Sequence, residues 1–239
     1  MSTDKNTFPP PDFPMMFSLF RKRYRSRELM PEGMDTHCHL LPGVDDGIPN
    51  VTEALKLIKA MKSCGLKGCF CTPHISLRFP NNTRESILLA FRDFQEHIGN
   101  KHPDFILKPS AEYMLDERFP ELLQKGDLLT WESPDTLLVE LSVTHPIPGW
   151  ADILHDLLRR GYTPVLAHPE RYHLHLSTED LRHLHRLGIR FQGNVGSLAG
   201  HYGSRAQELC GQLYAAGFYT RWGSDAHRSD TFQRLPLRS

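Results

Sequence analysis

A parallel α/β barrel is the fold that this 239-residue chain predicts, and three observations predict it. From Met34 onward, amphipathic stretches that close on glycine alternate with short apolar runs, the rhythm of repeated strand–helix units. The apolar runs end at positions 37, 74, 112, 140, 168, 194 and 225, spaced 26 to 38 residues apart, which are the lengths such units need. Nearly every one of those ends is a histidine or an acid, and the carboxyl ends of barrel strands are where this architecture builds active sites. Seven units imply a closed or nearly closed barrel. An open doubly wound sheet is the competing arrangement, since strand order is not written in a sequence. The length suits one domain of this kind.

Residues 1–33 read as an appendage to that domain. Pro9, Pro10, Pro11 and Pro14 block regular structure, and Arg21-Lys-Arg23-Tyr-Arg25-Ser-Arg27 is a dense basic run. The expectation is a flexible, solvated segment. Beside it stands an electrostatic contact with an anionic membrane surface or an acidic partner, aided by Phe17, Leu19 and Phe20. The barrel domain then runs over 34–239. Its first strand ends in Asp35-Thr-His37-Cys-His39, and a sharp turn through Pro42-Gly43 and Asp45-Asp46-Gly47 folds an acid pair back towards the histidines.

Val51 to Met61 carries helical spacing and stops near Gly65, before the strand Gly68 to His74. Asn82 or Thr83 caps a helix through Ile87, Leu88, Phe91 and Phe94 that stops at Gly99, and the strand Phe105 to Ala111 delivers Glu112. A short helical piece at 119–124 leads to the strand Thr136 to Ser142 with Glu140. Trp150, Ile153, Leu154, Leu157 and Leu158 form one helix stripe ended by Gly161, and Thr163 to Ala167 delivers His168. Ser177-Thr-Glu-Asp180 has the form of a capping box for a helix halted at Gly188, ahead of the strand to Asn194. A last helix through Ala206, Leu209 and Leu213 ends at Gly217, and the strand from Tyr219 reaches Asp225-Ala-His227.

Bulk properties narrow the function. Lys plus Arg equals Asp plus Glu at 28 each, so net charge does not call for nucleic acid. No apolar run reaches the roughly 18 residues of a membrane span, and the positive charges near the amino end follow the apolar run, the wrong order for a signal peptide. The five cysteines are odd in number and lie in apolar segments, which favours free thiols in a reducing, cytoplasmic compartment. None is followed six positions later by Arg, which removes the cysteine-loop phosphatases. Cys69 and Cys71 share a strand face and read as buried residues rather than a soft-metal pair.

The strand ends gather His37, His39, Asp46, His74, Glu112, Glu140, His168, Asp225 and His227. One at a time, each is an ordinary core histidine or a solvated acid. Together they are too many for one ion and suit two or three borderline cations with a bridging carboxylate. Clustered carboxylates also need cations to offset their mutual repulsion. His183 and His185 point apart on a helix and cannot chelate together, whereas His173 and His175 follow the His168 loop. Arg171, directly after a candidate ligand, suits forked recognition of phosphate, with Arg228 and Arg234 as weaker candidates.

Six ordered motifs carry a family resemblance: D-x-H-x-H-x-L-P-G-x-D-D-G from Asp35 to Gly47, T-P-H at 72–74, A-E-Y at 111–113, V-E-L-S at 139–142, A-H-P-E-R-Y at 167–172 and G-S-D-A-H at 223–227. They resemble the polymerase-and-histidinol-phosphatase (PHP) superfamily, and within it bacterial tyrosine phosphatases of capsular and exopolysaccharide systems. The resemblance implies a distorted (β/α)7 barrel and three divalent cations, usually manganese, with iron, zinc, cobalt or magnesium as alternatives. It implies that His37, His39, Glu112 and Asp225 hold one ion, that Glu112 bridges to a second with Glu140 and His168, and that Asp46, His74 and His227 hold a third. A hydroxide bridging the metals would attack phosphorus. Arg171, Asp46 and His227 are then the catalytic candidates, and Arg171 and Arg228 the phosphate-binding ones.

The implied substrate is the phosphotyrosine tail of a membrane-associated kinase that controls polysaccharide export. The basic amino end would give the chain a reason to lie near the membrane. A PHP phosphoesterase for a small ester such as histidinol phosphate or a nucleotide, and a regulator that docks on the kinase without turnover, are the rival readings. Two departures from the family pattern stand out: the glycine-rich segment Phe191 to Gly200, and a short carboxyl end that leaves a second phosphate-binding arginine unassigned.

Overall fold

The computed structural model describes residues 23–99 and 101–239. Eleven strands are present among them: β1 (Tyr24–Arg25), β2 (Met34–Cys38), β3 (Gly68–Cys71), β4 (His74–Ile75), β5 (Ile106–Pro109), β6 (Glu112–Met114), β7 (Thr136–Glu140), β8 (Thr163–Ala167), β9 (Arg190–Asn194), β10 (Tyr219–Gly223) and β11 (Leu237–Arg238). All pairings are parallel, in the orders β2-β3-β5 and β4-β6-β7-β8-β9-β10, with β1 and β11 apart.

The two orders are one ring. β3 and β4 are successive parts of a single strand broken at Thr72-Pro73, and β5 and β6 are parts of another broken at Ser110-Ala111. The breaks stay in step, because Ser110 N–H bonds the Cys71 carbonyl at 2.9 Å and Glu112 N–H bonds the Pro73 carbonyl at 3.1 Å. The last gap closes where Asp225 N–H meets the His37 carbonyl at 2.8 Å and His39 N–H meets the Ala226 carbonyl at 3.1 Å. Seven strands therefore surround one axis, the closed barrel that the unit spacing predicts, in the distorted form that the family resemblance implies.

The interior is layered. Met34, Phe70, Leu138, Val165 and Ala167 fill the lower part with Trp131, whose indole N–H bonds the Thr36 carbonyl at 2.7 Å. Leu138 and Glu140 are two apart on β7 and share a face, so the same wall is apolar below and acidic above. On β2 the corresponding change, from Met34 to His37 and His39, spans an odd number of residues. The register explains it: Asp35 faces Cys69 and Cys38 faces Cys71, one extra residue on β2. That bulge turns the histidines inward.

Helices cover the outside, and the larger core lies between them and the strands. They begin and end as the sequence predicts. Asn50 caps Val51–Ser63 by accepting from Glu53 N–H, Thr83 accepts from Ser86 N–H at the start of Arg84–Gly99, and Ser177 with Asp180 forms the capping box of Thr178–Arg186. Gly65, Gly161, Gly188 and Gly217 follow their helices with positive φ. Gly99 differs, being the last helical residue instead of a left-handed stop.

Residues 23–33, which the sequence places in a flexible segment, pack on the barrel. Tyr24 is fully buried, its N–H bonds the Pro236 carbonyl at 2.7 Å, and β1 pairs with β11. The apolar Tyr24, Leu29 and Met30 hold this stretch down, while its charged residues face out. The prolines, Phe17, Leu19, Phe20, Arg21 and Lys22 lie outside the described residues. No helix among the described residues is long and apolar enough to cross a membrane.

Candidate metal centre

The strand ends meet in a cavity of about 480 Å³ at the carboxyl end of the barrel. Seven of the nine sequence-predicted ligands line it, and His37 and His39 are buried against them, so the nine stand at graded depths. His37, His39 and Glu112 are fully buried and His168, Glu140 and Asp225 nearly so, whereas His74 and His227 are half-buried and Asp46 is exposed.

At the floor, His37 Nε2 and His39 Nε2 are 3.1 Å apart. Glu112 Oε2 lies 3.1 and 3.3 Å from them, and Asp225 Oδ1 lies 3.5 and 3.4 Å away. These separations match the edge, about 3.3 Å, of a tetrahedron of donors around an ion with bonds of about 2.0–2.1 Å. Beside this group, His168 Nε2 is 3.0 Å from Glu112 Oε1 and 4.0 Å from Glu140 Oε2, and His74 Nδ1 is 2.8 Å from Glu140 Oε1. Nearest the mouth, Asp46 Oδ1 lies 3.5 Å from His74 Nε2 and 3.7 Å from His227 Nε2. The three groups share His74 and Glu112 and form one continuous cluster.

Three buried atoms in the cluster, His74 Nδ1, Glu112 Oε2 and Glu140 Oε1, lie 2.8–3.2 Å from one another or from His37 Nε2, yet none of these contacts has the geometry of a hydrogen bond. Unpartnered buried polar atoms are costly, and here they converge with other donors, which is the condition that a cation relieves. The donor set of imidazole and carboxylate fits manganese, iron or zinc, and the residues present suit the metals that the resemblance implies.

A surrounding layer orients the imidazoles. His37 Nδ1 is 2.9 Å from Gln192 Oε1, and Gln192 Nε2 donates to the Gly193 carbonyl, which fixes the way the amide faces. His39 Nδ1 is 2.7 Å from Asp45 Oδ2, and the same carboxylate accepts the His74 and Gly47 N–H groups. His168 Nδ1 is 3.2 Å from the Tyr172 hydroxyl, which accepts Leu141 N–H. With Nδ1 so engaged, Nε2 is the nitrogen that each of these rings turns to the centre. Asp35, fully buried, joins the first and last strands by accepting from His37 N–H, Ser224 N–H and Ser224 Oγ.

Charge in the cluster is self-compensating. Burial works against His37 becoming charged, but Glu112 and Asp225 raise its pKa to about 9, and His39 is raised well above its usual value against the same burial by Asp45, Asp225 and Glu112. Burial likewise opposes ionisation of Glu112 and Asp225, yet their histidine neighbours hold both well below the ordinary carboxylate range. In the absence of ions, protonated imidazoles stand in for the cations.

Arg171 lines the cavity, donates to Asp225 Oδ2 at 3.0 Å and lies 4.5 Å from the Tyr202 ring. The glycine-rich segment sets up that contact: it forms the end of β9 and a short helix (Val195–Leu198), and Gly196 sits against His201 and Tyr202. Arg228 is turned to Asp230 and faces the neighbouring cleft beside Asp46 and His227, and Arg234 pairs with Asp230 as well. His173 and His175 stay out of the cavity, His175 bonding the Val143 carbonyl. His185 stacks on Phe218. Cys69 and Cys71 are free, buried thiols.

Residues 33–237 match the family model for capsular polysaccharide synthesis, CpsB/CapC. Tyrosine-protein phosphatase YwqE from Bacillus subtilis is 28% identical over 200 residues, covering 83% of this chain and 78% of YwqE. Tyrosine-protein phosphatase CpsB from Streptococcus pneumoniae is 28% identical over 141 residues, 58% of this chain and 57% of CpsB. Among solved structures, one chain from the crystal structures of YwqE from Bacillus subtilis and CpsB from Streptococcus pneumoniae, described as unique metal-dependent tyrosine phosphatases, superposes with a TM-score of 0.75 at 28% identity, over 83% of this chain and 81% of that one. With its match spanning nearly the whole described barrel and its strand-end residues gathered in one cavity, the chain belongs to the CpsB/CapC family of capsular polysaccharide synthesis.

Proposed function

We propose that the protein is a metal-dependent protein-tyrosine phosphatase acting on a cognate bacterial tyrosine kinase of capsule or exopolysaccharide synthesis. The observation that carries this reading is the meeting of nine imidazole and carboxylate side chains from around the barrel, His168 joining through Glu112, with three of their buried atoms lacking a well-formed hydrogen bond.

Three divalent cations, manganese on the family resemblance, would be held by His37, His39, Glu112 and Asp225, by Glu112, Glu140 and His168, and by Asp46, His74 and His227. Once bound, the ions supply the Lewis acidity that activates water and offsets charge on the phosphoryl group. The rest belongs to the chain. Arg171, carried by the turn after β8 and braced by Tyr202, presents its guanidinium to the phosphoryl oxygens. Asp46 and His227, at the mouth, flank the site where the ester enters. Arg228, in the cleft beside them, meets substrate on approach.

The mouth favours a phosphotyrosine side chain over an enclosed small ester. Its rim is formed by the exposed Arg78, Glu117 and His145, with Phe79 and Ile147 offering an apolar wall to an aromatic ring. A kinase tail at a membrane is the substrate this suits, and the basic residues at 21–27 would keep the enzyme near that surface. The five free thiols fit a cytoplasmic site of action. The deciding experiment compares turnover of a phosphotyrosine peptide with that of histidinol phosphate and a nucleoside monophosphate by the manganese-loaded protein. A higher kcat/KM on the peptide is expected. Preference for either small ester would replace this reading with that of a small-molecule phosphoesterase.

A further inference from the structure

Among the described residues two arginines line the cavity, and of these only Arg171 follows a predicted ligand closely in sequence. The other is Arg78, in the loop after β4. Its Nη1 lies 2.8 Å from Asp46 Oδ2, as Arg171 Nη1 lies 3.0 Å from Asp225 Oδ2. Each guanidinium is thus paired with a carboxylate that belongs to the candidate metal cluster, one at the mouth and one at the floor.

The loop beneath Arg78 is rigidly held. Arg118 donates to the carbonyls of Ser76, Phe79 and Asn82 at 3.2, 3.4 and 3.0 Å. Asn82 donates to the carbonyls of His74 and Val44, and Asp116 accepts Leu77 N–H at 2.6 Å. Phe79 lies parallel to His74, with ring centroids 5.7 Å apart and planes within 1°, and the Arg78 guanidinium sits 5.1 Å from the Phe79 ring. A fixed base thus carries a side chain that is 71% exposed and reaches over the cavity. An exposed ion pair contributes little by itself. What gives this one meaning is its partner: a cation that takes Asp46 leaves a guanidinium with five donors facing the cavity.

We propose that Arg78 is the second phosphate-binding arginine, contacting the phosphoryl oxygens from the mouth side while Arg171 contacts them from the floor. Arg228 points instead to Asp230 across the neighbouring cleft. This inference rests on the phosphatase reading. The ligand is the dianion of an aryl phosphate ester, and the alternative source of negative charge, an acidic residue flanking phosphotyrosine, is separable by substrate choice.

The test compares manganese-loaded wild type, Arg78→Ala, Arg78→Lys and the surface control Arg182→Ala. KM and kcat are measured on phenyl phosphate and on a phosphotyrosine peptide, together with inhibition by inorganic phosphate and bound manganese per chain. For Arg78→Ala, KM on both substrates and the inhibition constant for phosphate are expected to rise about tenfold or more, with partial recovery in Arg78→Lys or on adding guanidinium, and with manganese content unchanged. Unaltered phosphate inhibition, a loss confined to the peptide, or a loss matched by missing manganese would each overturn the assignment. Absence of turnover by wild type would instead remove the phosphatase reading, so the two failures are distinct.

Discussion

Every buried histidine of the floor has one nitrogen committed to a protein partner and one turned to the centre, and the committed one decides how well the other can bind. Gln192 Oε1 stands 2.9 Å from His37 Nδ1 with its own amide fixed by the Gly193 carbonyl. Replacing it by Leu removes the acceptor while keeping bulk, so His37 is free to take the wrong tautomer. Gln192→Leu is expected to weaken manganese binding about 10- to 100-fold, read by calorimetric titration, with the fold intact. An unchanged affinity would show that packing alone sets the ring. The contrast between ligands and their supports explains what was legible at this scale. The ligands sit at strand ends in a repeated pattern, and Tyr172 falls inside the A-H-P-E-R-Y motif. Gln192 has no such marker: only the fold brings it across 155 residues to His37. Asp45 is visible as half of the acid pair in its turn, but sequence does not say that it grips His39 while Asp46 stands at the mouth towards His74 and His227. Arg78 was hidden for the same reason, being an ordinary arginine in a loop until its place above the cavity is known.

Elements carry these side chains by departing from regular geometry at the points where the chemistry is needed. His168 and Asp225 both have left-handed backbones, φ 36° and 53°, which turn the chain sharply after β8 and β10. For non-glycine residues that conformation costs about 1–2 kcal/mol each, and it lies at the two strand ends that feed the floor. The β2 bulge, and the breaks at Pro73 and Ser110-Ala111, serve the same end of the barrel. Helix boundaries were readable because caps and terminal glycines are local chemistry. Breaks and bulges were not, since they answer to the neighbouring strand. Gly223, at the end of β10, leaves no room for a side chain: a Cβ there would lie 2.4 Å from His37 Cβ and 2.6 Å from Gln192 Nε2. Gly223→Ala is expected to cost about 1–3 kcal/mol in denaturant unfolding and to reduce manganese affinity, because relief requires His37 to move. A variant with native affinity would mean that β10 shifts away instead.

At the scale of the whole molecule, the ring gathers four carboxylates and five imidazoles into one cluster at the cavity, and the resulting charge ties stability to pH and to metal. The seven-strand count followed from unit spacing, but closure depends on contacts between the first and last strands that no local pattern encodes. Docking of residues 23–33 through Tyr24 on β11 is similarly non-local. In the ion-free protein, His37 titrates at about 9, above the value of about 6.5 for an unfolded histidine. Its pairing with Glu112 and Asp225 therefore contributes fully below about pH 6.5 and is lost as pH rises through 9, with His39 acting in the same direction. Glu112 and Asp225, depressed in the fold, contribute above the unfolded carboxylate range of about 4 and lose that contribution in acid. Stability of the ion-free chain should peak near pH 5–6.5 and decline towards 9. Manganese must displace the imidazole protons, so its binding should release protons in that same interval and grow tighter as pH rises. At about 100 times its dissociation constant it adds roughly 2.7 kcal/mol, or about 5–10 °C in Tm for a domain of this size. Thermal melts from pH 5.5 to 9, with excess manganese and after chelation, are expected to diverge as pH increases, the chelated protein falling and the loaded one holding. Parallel curves would show that the histidines do not carry the compensating charge, and that the centre is neutralised by other means.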